Sequence, residues 1–127
     1  MEYRSSLGQV RGLGVSKEGG IGHWWMQRLT AVALVPLTLW FVFSAVSMTG
    51  TDLIQFKAWV GAYGNPVLLV LFTIAAYHHG QIGMTEVIED YVHNKTANVI
   101  AIVLVKLGAF FCATYTIFCI ARLTFGG

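Results

Sequence analysis

The chain has 127 residues, of which 56% are hydrophobic and only 11% charged, whereas a soluble domain carries about 25% charge. With a mean hydropathy of +0.66 it lacks the polar groups to cover a water-facing surface, so lipid is its main solvent. A net charge of +2, with no basic cluster interleaved with aromatics, gives no nucleic-acid footprint.

Residues 1–22 are polar and rich in glycine, with Arg4, Arg11 and Lys17 among them. They contain no apolar core of a signal peptide. A phosphate-cradling loop would need a strand before it and a helix after it, and neither is evident. This stretch is expected to be a cytoplasmic arm, in the plain reading a mobile one, with ordering against a soluble partner favoured over a phosphate loop. Residues 23–127 are expected to form a single three-helix membrane anchor domain, with helices at about 24–49, 66–92 and 96–122.

Trp24 and Trp25 suit a membrane interface, where an amphipathic ring meets both solvents. Residues 29–49 then run for 21 positions without a charge, enough to cross about 30 Å of hydrocarbon. Pro36 lies inside this run, where a kink is expected and tolerated. After the Gly50-Thr51 break, Asp52 and Gln55 are spaced as a capping box. Leu53, Phe56, Val60 and Tyr63 follow at helical spacing, so a short amphipathic helix over 53–62 is expected on the membrane surface.

Asn65-Pro66 reads as a helix start, with Asn65 as the cap and proline at the first helical position. Residues 66–85 carry no formal charge, and the helix is expected to continue to about Tyr91. His93-Asn94-Lys95 is a short connector, and Thr96 or Asn98 is expected to cap the last helix. Only Lys106 interrupts that helix before Arg122. Cys112 and Cys119 lie seven residues apart in it, about 10 Å of rise, which is too far for a disulfide. There are no internal repeats.

The predicted fold class is therefore an all-α membrane protein with three transmembrane helices. Arg4, Arg11, Lys17, Arg28 and Lys95 flank one side of these spans, and Lys57 and Arg122 the other. The positive-inside rule then puts the N-terminus in the cytoplasm. It also brings Arg28 and the Asp90-Tyr91 pair to the same cytoplasmic face.

Chemistry concentrates on the second long helix. At about 100° per residue, His79, Gly83, Glu86 and Asp90 fall within roughly 60° of one another. Three readings stand for His79: a polar residue satisfied by a neighbouring helix, a proton relay, or an axial ligand of a haem. Gly80 and Gly83 favour a flat cofactor lying against the helix backbone, although close helix packing explains small residues as well. His78 points about 100° away and is the weaker candidate. A haem would need its second ligand from another subunit, because His23 and His93 lie at the interface. Arg28 is placed to meet anionic propionates, or to snorkel. Asp90-Tyr91 is either a plain helix end or a phenol beside a proton-relaying carboxylate, as a quinone site requires. Lys106 and Glu86 have no assigned role.

The pattern His79-x-x-Ile82-Gly83-Met84-x-x-Val87-Ile88-x-Asp90-Tyr91-Val92 resembles the second helix of the hydrophobic membrane anchor of succinate dehydrogenase. Gly22-His23-Trp24-Trp25 and Gln27-Arg28-x-Thr30-Ala31 resemble the start of its first helix. The resemblance covers nearly the whole chain. It implies a subunit of complex II, anchoring the flavoprotein and iron–sulfur subunits in a bacterial inner membrane rather than a mitochondrial one. It also implies a haem b shared with the second membrane protein of that complex, the cytochrome b556 subunit. By the motif, His79 is the haem-iron ligand, with Gly83 on the haem face and Arg28 near the propionates. Tyr91 is the donor to ubiquinone, with Asp90 beside it. A Ser-x-x-His-Arg run typical of the cytochrome b556 subunit is absent, while the doubled histidine, Gln81 and Lys106 depart from the anchor pattern. An anchor of a related fumarate reductase and a non-redox membrane scaffold are the alternatives.

Overall fold

The computed structural model describes residues 20–126, within which the chain forms four helices and no strand. These are α1 (Gly20–Ser47), α2 (Leu53–Gly61), α3 (Asn65–Tyr91) and α4 (Lys95–Phe125). The arm expected over 1–22 lies almost wholly outside the described residues. Three of the helices are long and apolar enough to cross a membrane: Trp24–Ser47, Asn65–Tyr91 and Lys95–Phe125. At 1.5 Å per residue each exceeds the roughly 30 Å of a hydrocarbon core, so their ends project into the headgroup zone. The outward faces stay apolar, with Val32 71%, Phe43 72% and Phe110 73% exposed. That is a surface made for lipid or for other membrane helices.

α3 is the central element. It packs against α1 on one side and α4 on the other, while α1 and α4 do not pack on each other among the described residues. Its buried residues Leu69, Thr73, Ala75, Ile82, Thr85 and Ile88 run along its length. Thr73 and Thr85 return their hydroxyls to the carbonyls of Leu69 (2.7 Å) and Gln81 (2.9 Å), so neither burdens the interface with an unmet donor. In lipid, such helices are held by van der Waals packing and polar contacts rather than by expulsion of water.

α2 closes one end of the bundle. Val60 buries against Leu69 of α3 and Ile120 of α4, and Trp59 stacks on Trp40 of α1 with ring centroids 5.7 Å apart. At the next position of α1, Phe41 stacks on Phe72 of α3 at 5.0 Å. Beside these rings an apolar cavity of about 940 Å³ opens, lined by residues that include Met48, Phe72 and Leu123.

The helix boundaries show where local signals competed. Asp52 caps α2 as its spacing predicts: its carboxylate accepts from Gln55 N, and Gln55 Oε1 accepts from Asp52 N. Asn65 does not cap α3. The cap position is Gly64 in the left-handed region (φ +80), with no side-chain bond, and Asn65 Nδ2 instead donates to Trp59 O at 2.7 Å. Glycine tolerates that turn, which frees Asn65 to tie α3 back to α2. Nor do Thr96 and Asn98 cap α4. Asn94 does so, accepting from Thr96 N and Ala97 N, because it sits just outside the first turn. α1 continues through Pro36. α4 runs on to Phe125, past its expected end near Arg122.

Candidate functional site

The site lies along the half of α3 away from α2, where α1 crosses it. α1 and α3 are antiparallel there, which lines up two residue pairs. Thr30 meets His79, with Oγ1 and Nδ1 3.1 Å apart. One turn nearer the end, Gln27 meets Gly83. A methyl added at Gly83 would lie 3.9 Å from Gln27 Nε2, which is ordinary contact. Gly83 therefore faces the Gln27 side chain of α1 with room for a methyl. Gly80 faces open space, with no atom within 4 Å of where a Cβ would stand. A flat group approaching His79 would find room on the Gly80 side.

His79 is half-buried. Its Nδ1 is engaged by Thr30, so Nε2 is the nitrogen left to coordinate a metal. Among the described residues no group of three or more His, Cys, Asp or Glu side chains could enclose a bare ion. An axial haem ligand needs no such group, because the macrocycle brings its own donors. His79 thus fits a ligand to a haem, and such a group would need its second ligand from elsewhere.

His78 turns the other way, as the 100° step between neighbours requires. It lines a cavity of about 300 Å³ with Ala109, Phe110, Ala113 and Thr114 of α4, and its Nε2 is buried without a hydrogen-bond partner. The two histidines therefore face different helices.

Arg28 stands at the start of the α1 span, its guanidinium carbon 5.4 Å from the Trp24 ring centroid. The ring presents its electron-rich face to the cation. Asp90 and Tyr91 end α3 on that same side of the bundle, roughly 17 Å beyond His79. Both are exposed, Tyr91 by 78%. The turn beneath them is built by Asn98 of α4, whose Nδ2 donates to Ile88 O (3.2 Å) and Val92 O (3.1 Å). The Val92 amide closes the helix on Ile88 O at 2.9 Å.

Residues 1–116 match the succinate dehydrogenase/fumarate reductase transmembrane subunit family. The chain belongs to that family. It is 32% identical over 108 residues to the succinate dehydrogenase hydrophobic membrane anchor subunit of Rickettsia bellii, with 84% of each chain covered. The hydrophobic membrane anchor subunit of Rickettsia typhi is 31% identical, with 72% of this chain and 74% of the relative covered. The succinate dehydrogenase membrane anchor subunit of Reclinomonas americana is 26% identical, with 73% and 80% covered. No solved structure matches.

As a transmembrane subunit of this family, the chain is a multi-pass membrane protein whose enzyme is the complex, not the chain by itself. The geometry brings His79, Gly83 and the start of α1 together and leaves Asp90-Tyr91 at the helix end. Two participants carried no role in the sequence beyond the motif that contains them: Thr30 and Gln27. Thr30 and Gln27 share a face of α1 at a spacing of three, at the edge of its charge-free run. That pair was the available signal. Asn98 reads in the sequence as a helix cap, and its actual partners, Ile88 O and Val92 O, lie across a connector.

Proposed function

We propose that the chain is the membrane anchor of a succinate:ubiquinone oxidoreductase in a bacterial inner membrane. In this reading it docks the flavoprotein and iron–sulfur subunits and shares a haem b with a second membrane subunit. The relatives named above support succinate dehydrogenase over fumarate reductase. The observation that carries the site is the held histidine: His79 is fixed through Nδ1 in the α1–α3 crossing, with its other nitrogen left to coordinate.

His79 would be the axial ligand from this chain, and Arg28 the cation nearest the propionates. Haem b, when bound, supplies a one-electron store in the membrane. The rest falls to side chains. The Tyr91 phenol would donate a hydrogen bond to a ubiquinone carbonyl oxygen, polarising it as the ring takes up electrons. The Asp90 carboxyl beside it would pass protons in from water. Both side chains are exposed at the helix end, so the remaining walls of a quinone pocket would come from partner subunits. With the N-terminus cytoplasmic, as the flanking charges favour, this end of the bundle faces the side from which electrons and protons arrive.

The test is an optical spectrum and a quinone assay on the purified complex. His79→Ala should remove or alter a b-type haem band that His78→Ala leaves in place. Tyr91→Phe should slow ubiquinone reduction while succinate oxidation by an artificial acceptor continues. A complex without any b-type band would overturn the cytochrome reading, and unchanged quinone reduction in Tyr91→Phe would reduce Tyr91 to a helix-end residue.

A further inference from the structure

We infer that Thr30 is the positioning residue for His79, fixing which ring nitrogen carries the proton and tuning the electron donation of the other. The inference rests on His79 being the axial ligand proposed above. Thr30 is among the most buried polar residues described, 8% exposed. Its hydroxyl has one proton and three neighbours: Met26 O at 2.7 Å, Gln27 O at 3.1 Å and His79 Nδ1 at 3.1 Å.

Two arrangements are open. In one, the hydroxyl donates to the Met26 carbonyl and accepts from Nδ1–H. In the other, it donates to an unprotonated Nδ1. The first makes two hydrogen bonds and the second only one. The shorter distance is the one to Met26 O. In hydrocarbon, where no water replaces a missing bond, the arrangement with more bonds wins. His79 is thereby held as the Nδ1–H tautomer, and the Nε2 lone pair is free.

A histidine that donates its second N–H to an acceptor is a more basic ligand and is fixed in orientation. A more basic Nε2 favours the oxidised form of a bound iron. Removing the acceptor should therefore make the iron easier to reduce. The bland account of Thr30 is a helix threonine satisfying its own hydroxyl one turn back, with no effect on the ligand. The two accounts differ in redox behaviour, not in packing, because valine has nearly the shape of threonine.

The experiment uses membranes containing the assembled complex, with redox titration of the haem band and low-temperature electron paramagnetic resonance. Thr30→Val should retain the haem, raise its midpoint potential and shift the low-spin g values. Thr30→Ser, which keeps the hydroxyl, should restore both to wild type. If Thr30→Val does not assemble, Thr30→Ala is read by the same two signals. An unchanged or lowered midpoint in the hydroxyl-free variant, while His79→Ala loses the haem, overturns the role of Thr30 and leaves the ligand assignment standing. Retention of the wild-type haem band by His79→Ala overturns the ligand assignment itself, and this inference with it.

Discussion

Asn98 offers a sharp test of how the end of α3 is held. Its amide donates to both Ile88 O and Val92 O, bridging from α4 to the turn that carries Asp90 and Tyr91. Asn98→Leu keeps the branched heavy-atom skeleton and deletes both bonds. Each is worth about 0.5–1.5 kcal/mol net, so local opening of the turn becomes easier by roughly 1–3 kcal/mol. Asn98 and Val92 are half-buried, and water regains part of the lost bonding, so the lower half of that range applies. At about 1.4 kcal/mol per factor of ten, the resulting roughly 1–2 kcal/mol should quicken exchange of the Val92 amide by roughly 5- to 30-fold. That amide is the reporter because its bond to Ile88 O closes the helix. Asn98→Asp should be worse than leucine, because it sets a carboxylate against two carbonyl oxygens. Hydrogen–deuterium exchange on the complex in lipid nanodiscs reads both. Val92 exchange within a factor of about two of wild type in Asn98→Leu would refute the bridge as the element that fixes this turn.

Two further outcomes follow from packing and capping. Gly83→Ala should assemble normally, since its methyl would rest 3.9 Å from Gln27 Nε2, whereas Gly83→Leu should force α1 off α3 and lower the yield of intact complex on size exclusion. Asp52→Ala should cost α2 about 1 kcal/mol of capping, read as a roughly fivefold faster exchange of the Gln55 amide that Asp52 now holds at 2.8 Å; an unchanged rate would mean that burial of Val60, not the cap, sets the helix start.

What the sequence made legible was set by what is local. Charge-free runs are long enough to declare three spans, and Asp52 with Gln55 declares a capping box because both partners lie within one turn. Asn65 misled because its amide found a carbonyl six residues back, while a glycine at φ +80 made the turn. Asn98 misled because its partners sit on the preceding helix and the residue that ends it. The site divides the same way. His79, Gly83, Asp90 and Tyr91 share one helix and could be placed by its period. Thr30 is 49 positions from His79, and only the antiparallel crossing of α1 and α3 brings them together. Helical period also separates His78 from His79 without any coordinates. What it cannot supply is that His78 looks into α4 and His79 into α1.

That α1 touches α3 but not α4 has a bearing on assembly. The α3–α4 pair is joined by a three-residue connector, and its mutual packing does not involve α1. Thr30 arrives on the helix that docks against it. His79 therefore meets the Thr30 hydroxyl only when α1 seats against α3. With α1 astray, the His79 imidazole would lack the Thr30 contact that fixes its ring.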